Sequence, residues 1–226
     1  MTEQEWFDEL DFTRHLRFIE ARLSLRQQRL LAAAFCRLGN LAADPRLQRT
    51  IELAEEYADE RCTLAALAAA RQECRELAIR AHEDGVREEG EARKWFQVSA
   101  LAWSVSYAAS MPVPVGKIGS EIPSAIMDYD DRTGPPNGLR RELRSLVWDV
   151  AGNPFAAPHF AAAWRTDTVR SLARQIYDSR DFGSMPILAD ALQDAGCDSE
   201  PILDHCRSPA THTRGCWLLD AVLERS

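Results

Sequence analysis

Five residues near the C-terminus carry side chains that hold borderline metal ions: Cys197, His205, Cys206, His212 and Cys216. Thiolate and imidazole are donors that zinc prefers, and four of them close a tetrahedral structural site. The spacing is C-x7-H-C-x5-H-x3-C, without the short knuckle between two cysteines that marks the common zinc modules. Packing is the competing expectation. Cys197, Cys206 and Cys216 then serve as small core residues, and His205 compensates a helix C-terminus. The sequence leans to packing and keeps zinc as the alternative. A Cys–His nucleophile is a third reading, Cys206 with His212 or Cys216 with His205. It requires a lowered thiol pKa, and nothing in the sequence supplies one. No Gly-rich phosphate loop, GxSxG or HExxH frame accompanies these residues.

The second group is positive. Arg14, Arg17, Arg22, Arg26, Arg29 and Arg37 form a locally basic stretch opposed by Glu20. Arg22, Arg26, Arg29 and Arg37 fall near one helical face, where they could meet phosphates or an acidic partner. An internal use competes. Glu52, Glu55, Glu56, Asp59 and Glu60 form an acidic counterpart that antiparallel packing would bring against the arginines. Trp6, at the N-terminus, is the candidate partner-facing anchor. The other five tryptophans (95, 103, 148, 164 and 217) lie in apolar patterns and are expected in the core. Asp128, Asp130 and Asp131 lack an EF-hand frame and read as a solvated acidic loop.

These residues need a scaffold, and the periodicity predicts helices throughout. Trp6, Phe7 and Leu10 mark a first short helix. Leu16, Ile19 and Leu23 mark a second, capped by Asp11 or Thr13. Ser24 followed by Gln27 is a capping-box pattern, and Asp44-Pro45 is an N-cap followed by a first-turn proline. Thr63 caps an Ala-rich helix over about 64–84, which ends at Gly85. Phe96, Ala100, Trp103 and Tyr107 then recur at helical spacing and predict the buried face of the next. Further helices are expected over 139–150, from Thr166 or Asp167, from Pro186 to Gly196, after Ser199, and over about 215–223. No segment alternates with period two, so no sheet is expected. The fold class is therefore all-α, an irregular multi-helix bundle. Its parts are a helical 1–111, a Pro/Gly-rich 112–138 and a helical 139–226 packed on the first part. The middle segment is expected to be irregular, with one short turn near Ala125–Met127.

Composition narrows the function classes. The chain has 226 residues, 46% hydrophobic, enough for a core without disulfide staples. The net charge of −8 is spread as −4, −2 and −2 over the three parts, so no part is a basic module and nucleic acid is not the expected partner. The opening residues show neither a basic nor an apolar leader region, and no apolar run is long enough for a membrane span. A cytoplasmic protein with reduced cysteines is the expectation. Cys36, Cys62 and Cys74 there read as small buried hydrophobes.

Several strings together resemble a known group. They are Leu146-Val147-Trp148-Asp149-Val150-Ala151-Gly152-Asn153-Pro154-Phe155, the run Ile187-Leu188-Ala189-Asp190-Ala191-Leu192, Ala195-Gly196-Cys197, His205-Cys206-Arg207 and His212-Thr213-Arg214-Gly215-Cys216-Trp217. At the other end stand Glu5-Trp6, Arg29-Leu30-Leu31, Cys36-Arg37 and Ala54-Glu55-Glu56-Tyr57-Ala58-Asp59. They resemble a paralogue-rich family of uncharacterised bacterial proteins of planctomycete type. The resemblance implies a coherent C-terminal module and brings no reaction, ligand or catalytic residue. Segment 112–138 departs from it. The leading functional expectation is a non-catalytic protein–protein interaction or adaptor module. A zinc-binding or Cys/His-dependent protein built on the C-terminal cluster comes second. Binding of acidic ligands or nucleic acid by the N-terminal arginines comes third.

Overall fold

The computed structural model describes residues 1–8, 12–39, 41–88, 90–126, 137–156 and 159–225. Among them every regular element is helical: twelve α-helices with three short 3-10 turns. The all-α expectation therefore holds. The chain divides into two compact units, Met1–Arg144 and Ser145–Ser226. The boundary falls inside a helix. No helix among the described residues is long and apolar enough to cross a membrane.

The first unit begins with α1 (Glu3–Asp8), α2 (Phe12–Glu20) and α3 (Leu25–Arg37). Both bonds of the capping box form at α3: the Ser24 hydroxyl accepts from the Gln27 N–H, and the Gln27 side chain accepts from the Ser24 N–H. Residues 29 to 36 of α3 are all buried, so this helix is the central one of its unit. α4 (Pro45–Ala58) starts at Asp44, whose carboxylate caps the Arg46 N–H. α5 (Leu64–Arg87) starts at Thr63 as predicted but runs straight through Gly85. α6 (Ala92–Ala108) packs against it, and the Ser99 hydroxyl donates to the Ala78 carbonyl across the pair. The buried face of α6 is Ser99, Leu101, Ala102, Ser104, Val105, Ser106 and Ala108. The expected face is not the buried one: Phe96 is exposed, while Ala100, Trp103 and Tyr107 are half-buried.

α7 (Val115–Ile126) is helical within the segment expected to be irregular, of which residues 127–136 lie outside the described ones. It packs on α2, α3 and α6. Gly119 explains why two glycines do not break it. A Cβ there would stand 2.5 Å from Leu16 Cδ1, so the missing side chain lets α7 approach α2 closely. Tertiary packing outweighs the helix propensity of Gly, about 1 kcal/mol below Ala. The acidic trio Asp128, Asp130 and Asp131 lies outside the described residues.

α8 (Asn137–Ala151) carries the chain into the second unit. α9 (Asp167–Ser179), α10 (Met185–Asp194), α11 (Glu200–Arg207) and α12 (Trp217–Leu223) complete that unit. One core joins Val169, Ile176 and Tyr177 of α9, Leu188 and Leu192 of α10, Ile202 and Cys206 of α11, and Leu218, Leu219 and Val222 of α12. Thr166 caps α9 by accepting from the Val169 N–H.

Candidate metal centre

Three chain segments of the second unit bring Asp149, His205, His212 and Cys216 together. One ligand atom from each lies within 4.8 Å of all the others. Asp149 stands near the end of α8, and His205 in the last turn of α11. His212 lies in the loop between α11 and α12, and Cys216 is the N-cap residue of α12. The loop is pinned from the other side by Arg214. Its guanidinium donates to the Tyr177 and Asp178 carbonyls at 3.1 and 3.3 Å, near the C-terminal end of α9, where a cation is favoured by the helix dipole.

The Asp149 carboxylate is the hub. Oδ1 accepts from His212 Nδ1 at 2.6 Å and lies 3.3 Å from His205 Nε2. Oδ2 accepts from the Thr213 main-chain N–H at 2.8 Å. His205 Nε2 is also 3.1 Å from Cys216 Sγ. Trp217 Nε1–H donates to His205 Nδ1 at 3.3 Å, and an indole can only donate. The His205 proton therefore sits on Nε2, the nitrogen that faces Asp149 and Cys216. The two imidazole rings meet edge to face at 4.9 Å. His212 Nε2 is buried and has no hydrogen-bond partner among the described residues.

Burial raises the Asp149 carboxyl, but hydrogen bonds from His205 and His212 outweigh it and hold the group below its ordinary value. The Cys216 thiol is pushed well above its ordinary value by burial and then by the Asp149 charge. Left to the protein alone, the set is a buried carboxylate, two imidazoles and a neutral thiol. A divalent cation among the four donors reverses the logic at sulfur, because a coordinating thiol is deprotonated outright. One carboxylate oxygen, two imidazole nitrogens and one thiolate sulfur make a tetrahedral zinc donor set.

The predicted ligands divide. His205, His212 and Cys216 come together. Cys197 and Cys206 do not join the group; they pack in the core of the second unit, with Cys206 pushed up to about 12 by burial and by Cys197. The Cys216–His205 pair meets, but Cys216 is fully buried and its thiol is shifted away from the thiolate. That is the reverse of an activated nucleophile. Asp149 is the member of the group that the sequence reading missed. Its signal was a lone carboxylate inside Leu146-Val147-Trp148-Asp149-Val150, on the face that buries Leu146 and Val150.

The partner-binding candidates turn inward. Trp6 is 1% exposed and packs against His15 and Phe18, so it is no anchor for a partner; its carbonyl lies 2.7 Å from His15 Nε2. A helix this short is not stable by itself and is held by burying a large side chain against its neighbours. The five tryptophans expected in the core are half-buried instead. Arg22 is exposed and folds over the Phe18 ring, donating to the Phe18 carbonyl. Arg26 pairs with Asp59, and Arg37 forms a two-bonded pair with buried Glu55. Arg29 is buried and donates to the Ala108 and Ser110 carbonyls. The basic face is thus largely spent inside its own unit. Of the N-terminal cysteines, Cys36 and Cys74 are buried as expected and Cys62 is half-buried.

Comparison of the chain with protein-family models, with curated proteins and with solved structures gives no match.

Proposed function

We propose that the second unit is a zinc-holding module in which Asp149, His205, His212 and Cys216 are the four ligands of one ion. The observation that carries this reading is the convergence of four chemically suitable donors from three separate segments within 4.8 Å. Four protein donors fill a tetrahedral ion and leave no position for a substrate, so the role of the ion is structural. The Thr213 main-chain N–H orients Asp149, and His205 releases the Nε2 proton it carries in the metal-free chain when that nitrogen takes the ion. With the ion holding α8, α11 and the loop before α12 in register, the module works through its helical surfaces as an interaction or adaptor domain.

The test is elemental analysis of untagged protein, with cobalt substitution as a second readout. About one zinc per chain is expected. The cobalt form should show the visible bands of a tetrahedral ion and a thiolate charge-transfer band. Cys216→Ser should lose that band and most of the metal, while Cys206→Ser keeps both. A chain without metal, or one whose metal content ignores Cys216→Ser, overturns the reading.

A further inference from the structure

The first unit contains a half-open pocket of about 530 Å³, within the size range of small-molecule sites. Its walls are apolar: Leu25, Ala58, Met111, Pro112 and Val113. Leu25 and Met111 are 63% and 55% exposed and form the lip. Two polar groups, Arg29 and Tyr57, line the pocket beside these apolar walls.

Arg29 is the first. It is 97% buried by side-chain and main-chain surface together, since only 3% remains exposed. Its guanidinium donates to the Ala108 and Ser110 carbonyls at 2.7 and 3.1 Å, two of the five N–H groups it owns. Those carbonyls at the end of α6 offer partial negative charge. Among the described residues no carboxylate reaches Arg29, in contrast to Arg26 and Arg37, which have Asp59 and Glu55. A buried cation without a counter-ion is costly. Desolvation duly lowers its pKa, with Tyr57 and Cys62 opposing.

Tyr57 is the second. Its ring lies 5.1 Å from the Arg29 guanidinium carbon, and among the described residues its part-exposed hydroxyl donates to the Met111 thioether at 3.9 Å. A thioether is a weak acceptor. The nearby acids do not fill the gap: Asp59 is bound by Arg26 and Arg61, and Glu60 stands exposed at the rim, where solvent screens it.

We propose that this pocket binds an amphiphilic carboxylate, a small molecule with one carboxylate on an apolar chain or ring. The carboxylate meets Arg29 and the Tyr57 hydroxyl, and the apolar body lies against Leu25, Met111 and Val113. The charge complement and the apolar walls together select this class over phosphates, which are too hydrated, and over neutral lipids, which leave Arg29 unmatched.

The experiment is calorimetric titration of the full chain with octanoate, and with octanol as the neutral match. Saturable octanoate binding is expected, with octanol weaker by about tenfold or more. Tyr57→Phe should weaken octanoate severalfold. Met111→Glu changes an exposed lip residue, so the fold survives, and its carboxylate should abolish binding. Equal affinity for octanoate and octanol overturns the proposal. So does the absence of saturation below the micellar concentration, or unchanged binding in Met111→Glu. Thermal melts of both variants establish that each is folded.

Discussion

Burial sets the chemistry of the six thiols. All are free. Burial pushes Cys74 up to about 11 and Cys206 to about 12, and it raises Cys36, Cys197 and Cys216 as well. Without a bound metal, a folded-state pKa raised by burial keeps the thiol protonated at neutral pH and above it, and exposure of the thiolate requires unfolding. Only Cys62 is half-exposed. A thiol reagent at mildly alkaline pH should therefore modify Cys62 slowly in the native protein and all six in denaturant. Fast reaction of a second native thiol contradicts this. Gly152 gives a second prediction. It ends α8 at φ +62°, and a Cβ would stand 3.2 Å from Trp217 Cγ. Gly152→Ala should cost about 1–3 kcal/mol from the left-handed backbone and crowding together, read by denaturant unfolding. Trp217 also touches His205, so metal affinity should fall in the same variant. His205, His212 and Cys216 were legible as candidate ligands because residue type alone marks them. Asp149 was not, because a carboxylate becomes a ligand only when another segment folds onto it.

Helix starts are local, and local chemistry is what a sequence displays. Ser24, Asp44, Thr63 and Thr166 all cap where the pattern placed them. Ser24→Ala removes one bond of the capping box and should cost about 1 kcal/mol. Glu55→Ala should cost more, about 2–3 kcal/mol, because it strands a part-buried arginine; the 25% exposure of Arg37 keeps the loss below that of a fully buried pair. Denaturant midpoints of the two variants measured side by side check the order. If the cap costs more than the ion pair, the pairing of α3 with α4 is not the strong one. That acidic helix was visible as a counterpart to the arginines, yet nothing along the chain separated an internal pair from a surface for phosphates. The decision rests on the distance between two helices. The same holds for α7, whose Pro- and Gly-rich start read as a break until α2 is laid against Gly119, and for α6, which buries Ser, Ala, Leu101 and Val105 while Phe96 and Trp103 lie nearer the surface against His82 and Arg75 of α5.

At the scale of the molecule the chain divides into two units. The second is roughly eighty residues long, near the size at which a lone hydrophobic core leaves little net stability. It has no disulfide to compensate, since all its cysteines are free. A metal ion bound only by the folded form adds its binding free energy to folding, and for structural zinc that is large. The first unit has no share in the Asp149, His205, His212 and Cys216 set. Calorimetry of the full chain should therefore give two transitions. A strong chelator should lower or abolish the one that belongs to residues 145–226 and leave the other within a degree or so, and added zinc should restore it. Arg37 and Glu55 lie in the first unit, so Glu55→Ala should move the transition that the chelator spares. Each perturbation thus labels its own unit, and the two labels must not coincide. If both transitions respond to the chelator, the units share one folding reaction. If neither responds while metal is shown to leave, the four donors hold their places by hydrogen bonds alone and the ion is not what keeps α8, α11 and α12 together.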